Sequence, residues 1–429
     1  MQPKWFGLDG CIKLVQKHPS SRLKRLTVKQ SSYRPSSLER LRRQGRLAEK
    51  AATTRMKHVI IGGLGGLGRH MQRKLLSEGK QVCVIDRATR SDVLKKNLLA
   101  HPTYVEYVPC NIGGNNERNE KTVGSSELTR AVLGADTVYS MVTPDIEKAT
   151  VKDMKRTNVE GIEHIINACK EAGVSKLVYV SSIAVTGQHK PSVEQTEDCP
   201  LPSHDEYENG YDLTKRLGED AILDACSSDL RTCAIRPGGI MSGADDYFFR
   251  RIPKTPGVVY TVDRSPLDVI SAKDLSRALF SASLKLGESN SDLIGRSVFV
   301  TKCRSNSPVN LYDISAALSN RLGWRVTKIP SPVLSFVQAG LWSIDVAGKF
   351  MGTSNDDDTK LALPMHKTLA VGKHQQSFDN SLARDLLDFE PEETWVDTLE
   401  WVARDIERSN PDLFEATNAS RSVLNRAPL

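Results

Sequence analysis

Residues 58–68 read HVIIGGLGGLG, a β-branched run that ends in five glycines within seven positions. A packed core gains nothing from so bare a stretch, because each glycine gives up side-chain burial and costs extra backbone entropy on folding. A phosphate-binding turn accounts for it. Val59, Ile60 and Ile61 suit a strand buried on both faces of a parallel sheet. Gly62, Gly65 and Gly68 follow at G-x-x-G-x-x-G spacing, with Leu67 in the same turn. That spacing lets the chain turn tightly, bring backbone N–H groups against a pyrophosphate, and pack the next helix closely on the sheet. The helix is expected over 69–78, and the partial positive charge at its N-terminus favours an anion. The competing reading is a glycine-rich turn with no ligand, and the two diverge downstream.

Next comes QVCVIDR, a second strand ending in Asp86, 24 residues past Gly62, with Arg87 beside it. An acid so placed accepts hydrogen bonds from an adenosine ribose. Strands are further predicted at 103–111, 137–142, 176–182 and 232–243, and a helix over 148–172 carries Ile162, Ile165, Ile166 and Cys169 on one face. The polar run IGGNNERNEKTVGSS between the third and fourth strands reads as a surface loop. This alternation predicts an α/β fold built on a Rossmann-type doubly wound parallel sheet. Such sheets bind ligands at the carboxyl ends of their strands, so Gly62, Asp86, Asn111, Ser182 and Pro237 are expected to converge. Beyond 240 the regularity fades. The predicted organisation is a basic extension (1–55), a dinucleotide-binding core (56–240), a smaller mixed substrate lobe with returning core elements (241–415) and a tail (416–429).

The net charge of +7 is carried by the extension, where 14 Lys and Arg face 3 acids; the rest of the chain holds 45 basic and 49 acidic residues. The body therefore lacks the basic footprint of a nucleic-acid-binding protein. The extension is rich in Arg and Ser, and SSLERLRRQGRLAEK can form a basic helix. Three readings stay open for it: an organelle transit segment, a segment that binds an anionic membrane surface, and a stretch upstream of a natural start at Met56. No apolar run of 18 residues indicates a spanning helix. The eight cysteines are scattered, with no C-x-x-C pair and no ligand-spaced His and Cys cluster, so reduced thiols in an intracellular protein are expected and no metal site is.

What uses the dinucleotide is written in ENGYDLTKRLGED. Tyr211 and Lys215 stand four apart on a predicted helix, one turn from each other on one face. A free phenol titrates near 10, and a nearby ammonium favours the phenolate. With a serine hydroxyl to hold the substrate oxygen, Tyr211 can exchange a proton while a nicotinamide exchanges a hydride. Tyr and Lys recur at this spacing on many solvated helices, but here the pair lies 29 residues after VSSIAVTG and before the sixth strand. Ser182 is the candidate serine, and Ser181 the alternative.

At these motifs the chain resembles the extended short-chain dehydrogenase/reductase superfamily over about 57–410, through GGLGGLG, VCVID, TNVEGIEHIINACKEAGVSKLVYVSSIAVTG, YDLTK, AIRPGGIMSG and LDVISAKDL. The resemblance implies that Gly62, Gly65 and Gly68 hold the pyrophosphate of NAD, Asp86 its adenosine ribose, and that Asn111 and Ile112 lie beside adenine. It gives Ser182, Tyr211 and Lys215 the catalytic roles, with Lys215 also bonded to the nicotinamide ribose. Within that branch the chain is most similar to the 3β-hydroxysteroid dehydrogenase family, including the sterol-4α-carboxylate 3-dehydrogenases, through SSIAVTG, IRPGGIMSG and the order of its later segments. In such an enzyme, oxidising a 3-hydroxyl beside a 4-carboxylate makes a β-keto acid that can lose carbon dioxide. Three positions depart from the family pattern: Ile61 replaces a threonine, Gly66 an aromatic and Asn111 an aspartate, the last weakening adenine binding. NAD is the expected cofactor because Asp86 repels the 2′-phosphate of NADP, an effect that Arg87 and Arg90 oppose.

The leading function is thus an NAD-dependent oxidoreductase acting on a hydrophobic alcohol or ketone. Two others remain: the same chemistry on a nucleotide sugar or phenolic ketone, and a dinucleotide-binding scaffold without turnover. In VLSFVQAGLWSIDVAGKFM (333–351), Val333, Phe336, Val337, Gly340, Leu341, Ile344, Gly348 and Met351 form a helical stripe. The favoured reading is a helix packed on the lobe; the sharper one is a peripheral membrane contact, as at the endoplasmic reticulum, that admits a sterol. A homodimer is the expected assembly.

Overall fold

The computed structural model describes residues 56–411, apart from 96–98, 114–124, 188–190, 245, 247–248, 250–257, 263–265, 305–307 and 351–373, together with 7–8 and 11–12. In the unit Met1–Thr54, the strands Gly7–Leu8 and Cys11–Ile12 pair antiparallel. The expectations for the rest of the extension, most of the polar insert and the tail lie outside the described residues.

Arg55–Leu429 is one compact unit. It opens with β1 (Lys57–Ile61), α1 (Gly66–Ser77), β2 (Gln81–Asp86), α2 (Arg90–Lys95), β3 (Val105–Pro109), α3 (Ser125–Val132) and β4 (Ala135–Ser140). There follow α4 (Val151–Lys155), a π-helical turn (Arg156–Glu160), α5 (Gly161–Glu171), β5 (Lys176–Val180), β6 (Ser192–Gln195), α6 (Gly210–Asp224) and β7 (Arg231–Pro237). The remainder supplies β8 (Gly239–Met241), β9 (Val258–Val262), β10 (Val269–Ser271), α7 (Ala272–Lys285), β11 (Ser297–Val300), α8 (Leu311–Leu322), β12 (Arg325–Ile329) and α9 (Ser331–Phe350). Last come β13 (Gln376–Phe378), α10 (Ser381–Leu387) and α11 (Trp395–Ser409).

Seven strands form one parallel sheet in the order β11-β7-β5-β4-β1-β2-β3. Its strands alternate their side chains between two apolar layers. Ile60, Val82 and Val84 pack on one face with Met71 of α1 and Leu275 of α7, while Val59, Ile61, Cys83 and Ile85 pack on the other with Leu128 of α3 and Ile165 of α5. Burial of both faces is why the strands read as continuous β-branched runs. The chain leaves β3 at one edge and re-enters beside β1 as β4, so strand order reverses between β1 and β4 and opens a crevice at their carboxyl ends. The edge strand β11 comes from the region beyond 240; only four residues long, it gives a weak sequence signal.

The later segments build three short parallel pairs, β8 with β10, β9 with β12, and β13 with β6. A third core of Met241, Phe249, Ile314, Trp324, Val402 and Ile406 joins β8, α8 and α11. Helix α9 forms, but the described first part of its stripe is exposed rather than packed on the lobe. Phe336 is 82% exposed, Val333 51% and Val337 44%, with Trp342 at 56%. Ile344 and Gly348 are described in backbone only, and Met351 lies outside the described residues.

Candidate active site

A cavity of about 820 Å³ occupies the crevice. Gly62, Gly65, Leu67, Gly68, Asp86, Arg87, Asn111, Ile112, Ser182, Tyr211, Lys215 and Pro237 all line it. Each sits at or just past a strand end, in the first turn of α1 or on α6, so the doubly wound topology is what brings them together.

The glycines do different work. Gly62 has φ +83°, and a Cβ there would stand 3.1 Å from the Met141 carbonyl at the end of β4. Gly68 presses α1 onto the turn, since a Cβ would stand 2.5 Å from the Gly63 carbonyl. Gly66 faces Ser242, which leaves no room for the aromatic side chain of the family pattern. Gly65 differs from all of these: its φ of −65° and ψ of 171° suit any residue, and a Cβ would meet only the Gly62 oxygen at 3.5 Å. Nothing in the protein calls for glycine there. Gly65 is also the N-cap of α1, with no side-chain cap, and it lines the cavity. An anion that approaches the first-turn N–H groups fits both facts, and a dinucleotide pyrophosphate supplies one.

Asp86 Oδ2 accepts from the Leu64 N–H at 3.2 Å, which ties the second strand end to the glycine turn. Burial raises the pKa of this carboxylate, opposed by the backbone N–H groups of Leu64, Arg87 and Ala88. Asn111 Oδ1 accepts from the Gly113 N–H at 3.2 Å, and the Ile112 carbonyl lies 2.9 Å from His164 Nδ1. Arg90 donates to the Tyr107 carbonyl at 2.8 Å.

Helix α6 starts cleanly because Asn209 caps it, its side chain accepting from the Asp212 N–H at 2.9 Å. Tyr211 stands in the first turn, where the Ser182 hydroxyl favours its ionised form, and Ser182 Oγ accepts from the Ala184 N–H at 3.1 Å. Ser181 Oγ is buried without a partner. Lys215 is buried, donates to the Val180 carbonyl at 2.7 Å, and holds its ammonium 4.4 Å from the centre of the Tyr179 ring. The titration balance differs from the sequence expectation. Desolvation pushes the Tyr211 phenol up to about 12, against the pull of Ser182 and with a further push from the charge of Asp212. Burial also pushes Lys215 down to about 7, opposed by the charge of Glu219.

Two further features escaped the sequence reading. Asn158 in the π-helical turn is buried, donates to Thr214 Oγ1 at 3.1 Å, and leaves Oδ1 without a partner. A π turn has no periodic signature, so nothing in TNVEG marked it. Glu219 and Arg236 form a buried ion pair behind the site; the four-residue step from Lys215 to Glu219 on α6 was the available signal.

Residues 59–333, more than half of the chain, match the sequence profile of the 3-beta hydroxysteroid dehydrogenase/isomerase family. A 3beta-hydroxysteroid-dehydrogenase/decarboxylase isoform 1 of Arabidopsis thaliana is 25% identical over 355 residues, covering 78% of this chain and 75% of that protein. A sterol-4-alpha-carboxylate 3-dehydrogenase, decarboxylating, of Mus musculus is 31% identical over 196 residues, covering 44% and 47%. The matches span 61% of the length of the second Arabidopsis isoform and 53% of a Stigmatella aurantiaca ketoreductase. Among solved structures, a UDP-galactose 4-epimerase superposes with TM-score 0.59 at 16% identity, over 82% of this chain and 99% of that one. A UDP-glucuronic acid 4-epimerase from Bacillus cereus gives 0.58 at 18%, over 82% and 99%. These structural likenesses show a common fold. The profile match, over the same residues that carry the glycine turn and the Tyr211–Lys215 helix, shows that the chain belongs to the 3-beta hydroxysteroid dehydrogenase/isomerase family.

Proposed function

We propose that the protein is an NAD-dependent oxidoreductase that oxidises a secondary alcohol, the 3β-hydroxyl of a sterol-like substrate. The observation that carries the reading is the single cavity shared by the glycine turn and by Ser182, Tyr211 and Lys215. The glycine turn and Asp86 hold the dinucleotide, a reading supported by the Bacillus cereus epimerase of like fold, whose structure is a complex with NAD. Bound NAD supplies the acceptor for the hydride that leaves the alcohol carbon. The hydroxyl proton passes to the Tyr211 oxygen in its phenolate form, which the positive charge of Lys215 on the same helix face favours over the burial that opposes it, and Ser182 holds the substrate oxygen. Met141, Val142, Pro144, Ile146, Ile183, Ile240, Leu267 and Leu311 also line the cavity, and such walls suit a hydrophobic substrate body. The exposed apolar side chains of α9 support a peripheral membrane contact as the source of that substrate. Among the described residues no helix is long and apolar enough to cross a membrane.

The deciding experiment follows NADH formation over a panel of 3β-hydroxysteroids, sterol carboxylates and nucleotide sugars. Turnover of a 3β-hydroxysteroid, absent in Tyr211→Phe, is expected. Turnover confined to nucleotide sugars would replace the substrate assignment, and tight NAD binding without any turnover would favour a scaffold.

A further inference from the structure

We propose that Glu219 is a positioning residue whose charge holds the proton on Lys215, and that Arg236 fixes the Glu219 carboxylate for that purpose. The proposal rests on the role given to Lys215 above. Tyr211, Lys215 and Glu219 follow one another at four-residue steps along α6 and so share a face. Glu219 is 0% exposed, Lys215 2% and Arg236 3%. Carboxylates so deeply buried are kept only when paired. Arg236 supplies the pairing in forked geometry, its Nε 3.1 Å from both Glu219 oxygens and its Nη2 2.5 Å from Oε1.

The surroundings of Lys215 leave its charge state dependent on that carboxylate. Its own helix presents Tyr211 and Glu219, β5 presents the Tyr179 ring and the Val180 carbonyl, and neither of the latter is an anion. Arg236 of β7 stands against Glu219, and Glu197, which accepts from the Phe299 N–H at 2.6 Å, acts on Arg236. Burial drives the Lys215 ammonium to lose its proton, and Glu219 is the anion that opposes this. The forked pair has a second consequence. A carboxylate engaged by Arg236 leaves the Lys215 N–H donors for Val180 and the cavity.

The test is carbon-13 NMR of the ligand-free full chain labelled at lysine Cε, with the Lys215 signal assigned by its loss in Lys215→Met. Glu219→Gln keeps the shape and removes the charge. Its Lys215 midpoint is expected to fall by at least about half a pH unit from the wild type, with the alkaline limb of kcat/KM moving the same way. An unchanged midpoint in a folded variant would overturn the proposal. Should Glu219→Gln not fold, Glu219→Gln with Arg236→Gln replaces the pair by neutral amides; loss of the Arg236 cation opposes the fall, so a smaller drop is expected, and a midpoint that does not fall overturns the proposal. A shifted midpoint in a protein that oxidises no alcohol would instead keep the charge relationship and remove the activity.

Discussion

Lys215 donates to the carbonyl oxygen of Val180 at 2.7 Å, and Val180 ends the strand that runs into Ser182. One hydrogen bond thus sets the height of the Tyr211 helix against the strand that carries the serine. Removing the phenol oxygen leaves this link, the ring and the glycine turn in place. Tyr211→Phe should therefore bind NAD as the wild type does and lose about 10²- to 10⁴-fold in kcat. Cofactor titration beside steady-state kinetics checks both halves, and an equal loss in cofactor affinity would mean that the variant disturbs the site rather than the proton transfer.

Lys215 itself is held against its solvation preference. Its folded-state pKa of about 7 lies far below the ordinary lysine value of 10.5. Between those two values the unfolded chain binds the proton that the folded protein refuses, so the destabilisation is full below pH 7 and fades as pH rises toward 10.5. Lys215→Met should raise stability near pH 6.5 by about 1 kcal/mol, with the gain shrinking by pH 10, while it abolishes turnover. Thermal melts of both proteins across that range measure it. A variant less stable than wild type at every pH would mean that the bond to Val180 outweighs the desolvation.

The core of the fold was legible because its strands are buried on two faces and bounded by glycine and polar turns. Val59–Ile61 and the turn after them needed no tertiary information. Strand β11 was not legible, since Ser297–Val300 is too short to stand out and joins the sheet only through its pairing with β7. The co-location of Asp86, Asn111 and Ser182 followed from one topological rule about strand ends. The direction of the Tyr211 shift did not, because burial decides it, and a four-residue spacing says nothing about how deeply the phenol is buried. The exposure of the first part of the α9 stripe was not legible for a related reason. Periodicity marks an apolar face and says nothing about what covers it.

Cofactor choice rests on Asp86 at the end of β2. Its carboxylate would repel a 2′-phosphate; of the two arginines that could compensate, Arg90 donates to the Tyr107 carbonyl instead, which leaves Arg87, beside Asp86 on the cavity lining, to oppose the effect alone. NAD should bind more tightly than NADP. Asp86→Ala should narrow the gap and weaken NAD several-fold, since the Leu64 N–H also loses its acceptor, a loss of about 1 kcal/mol. Titration of both cofactors against both proteins decides it; tighter NADP binding by the wild type would refute the assignment.

Phe336 is 82% exposed, so Phe336→Asp buries no charge and should leave the melting temperature within a degree or two. If α9 meets a membrane, the same change should reduce retention on phospholipid vesicles while activity on a soluble substrate is kept. Equal retention of wild type and variant would remove α9 as the contact.

The two glycines that open α1 separate what the fold needs from what the ligand needs. A Cβ on Gly68 would overlap the Gly63 backbone, with 2.5 Å to its carbonyl carbon, and neither side is a flexible side chain that can step aside. Gly68→Ala should therefore cost about 1–3 kcal/mol of stability by overpacking, with cofactor binding weakened as the turn is forced open. Gly65→Ala meets no such obstacle, since its backbone angles are ordinary and its nearest neighbour stands at 3.5 Å. Its added methyl points into the space where a pyrophosphate approaches the first N–H groups of the helix. Gly65→Ala should melt like the wild type and bind NAD at least tenfold more weakly, a difference of about 1.4 kcal/mol. Calorimetric binding and thermal melts on the two variants make the comparison. Unaltered NAD affinity in Gly65→Ala would mean that the phosphates lie elsewhere, because no other property of this structure accounts for a glycine at that position.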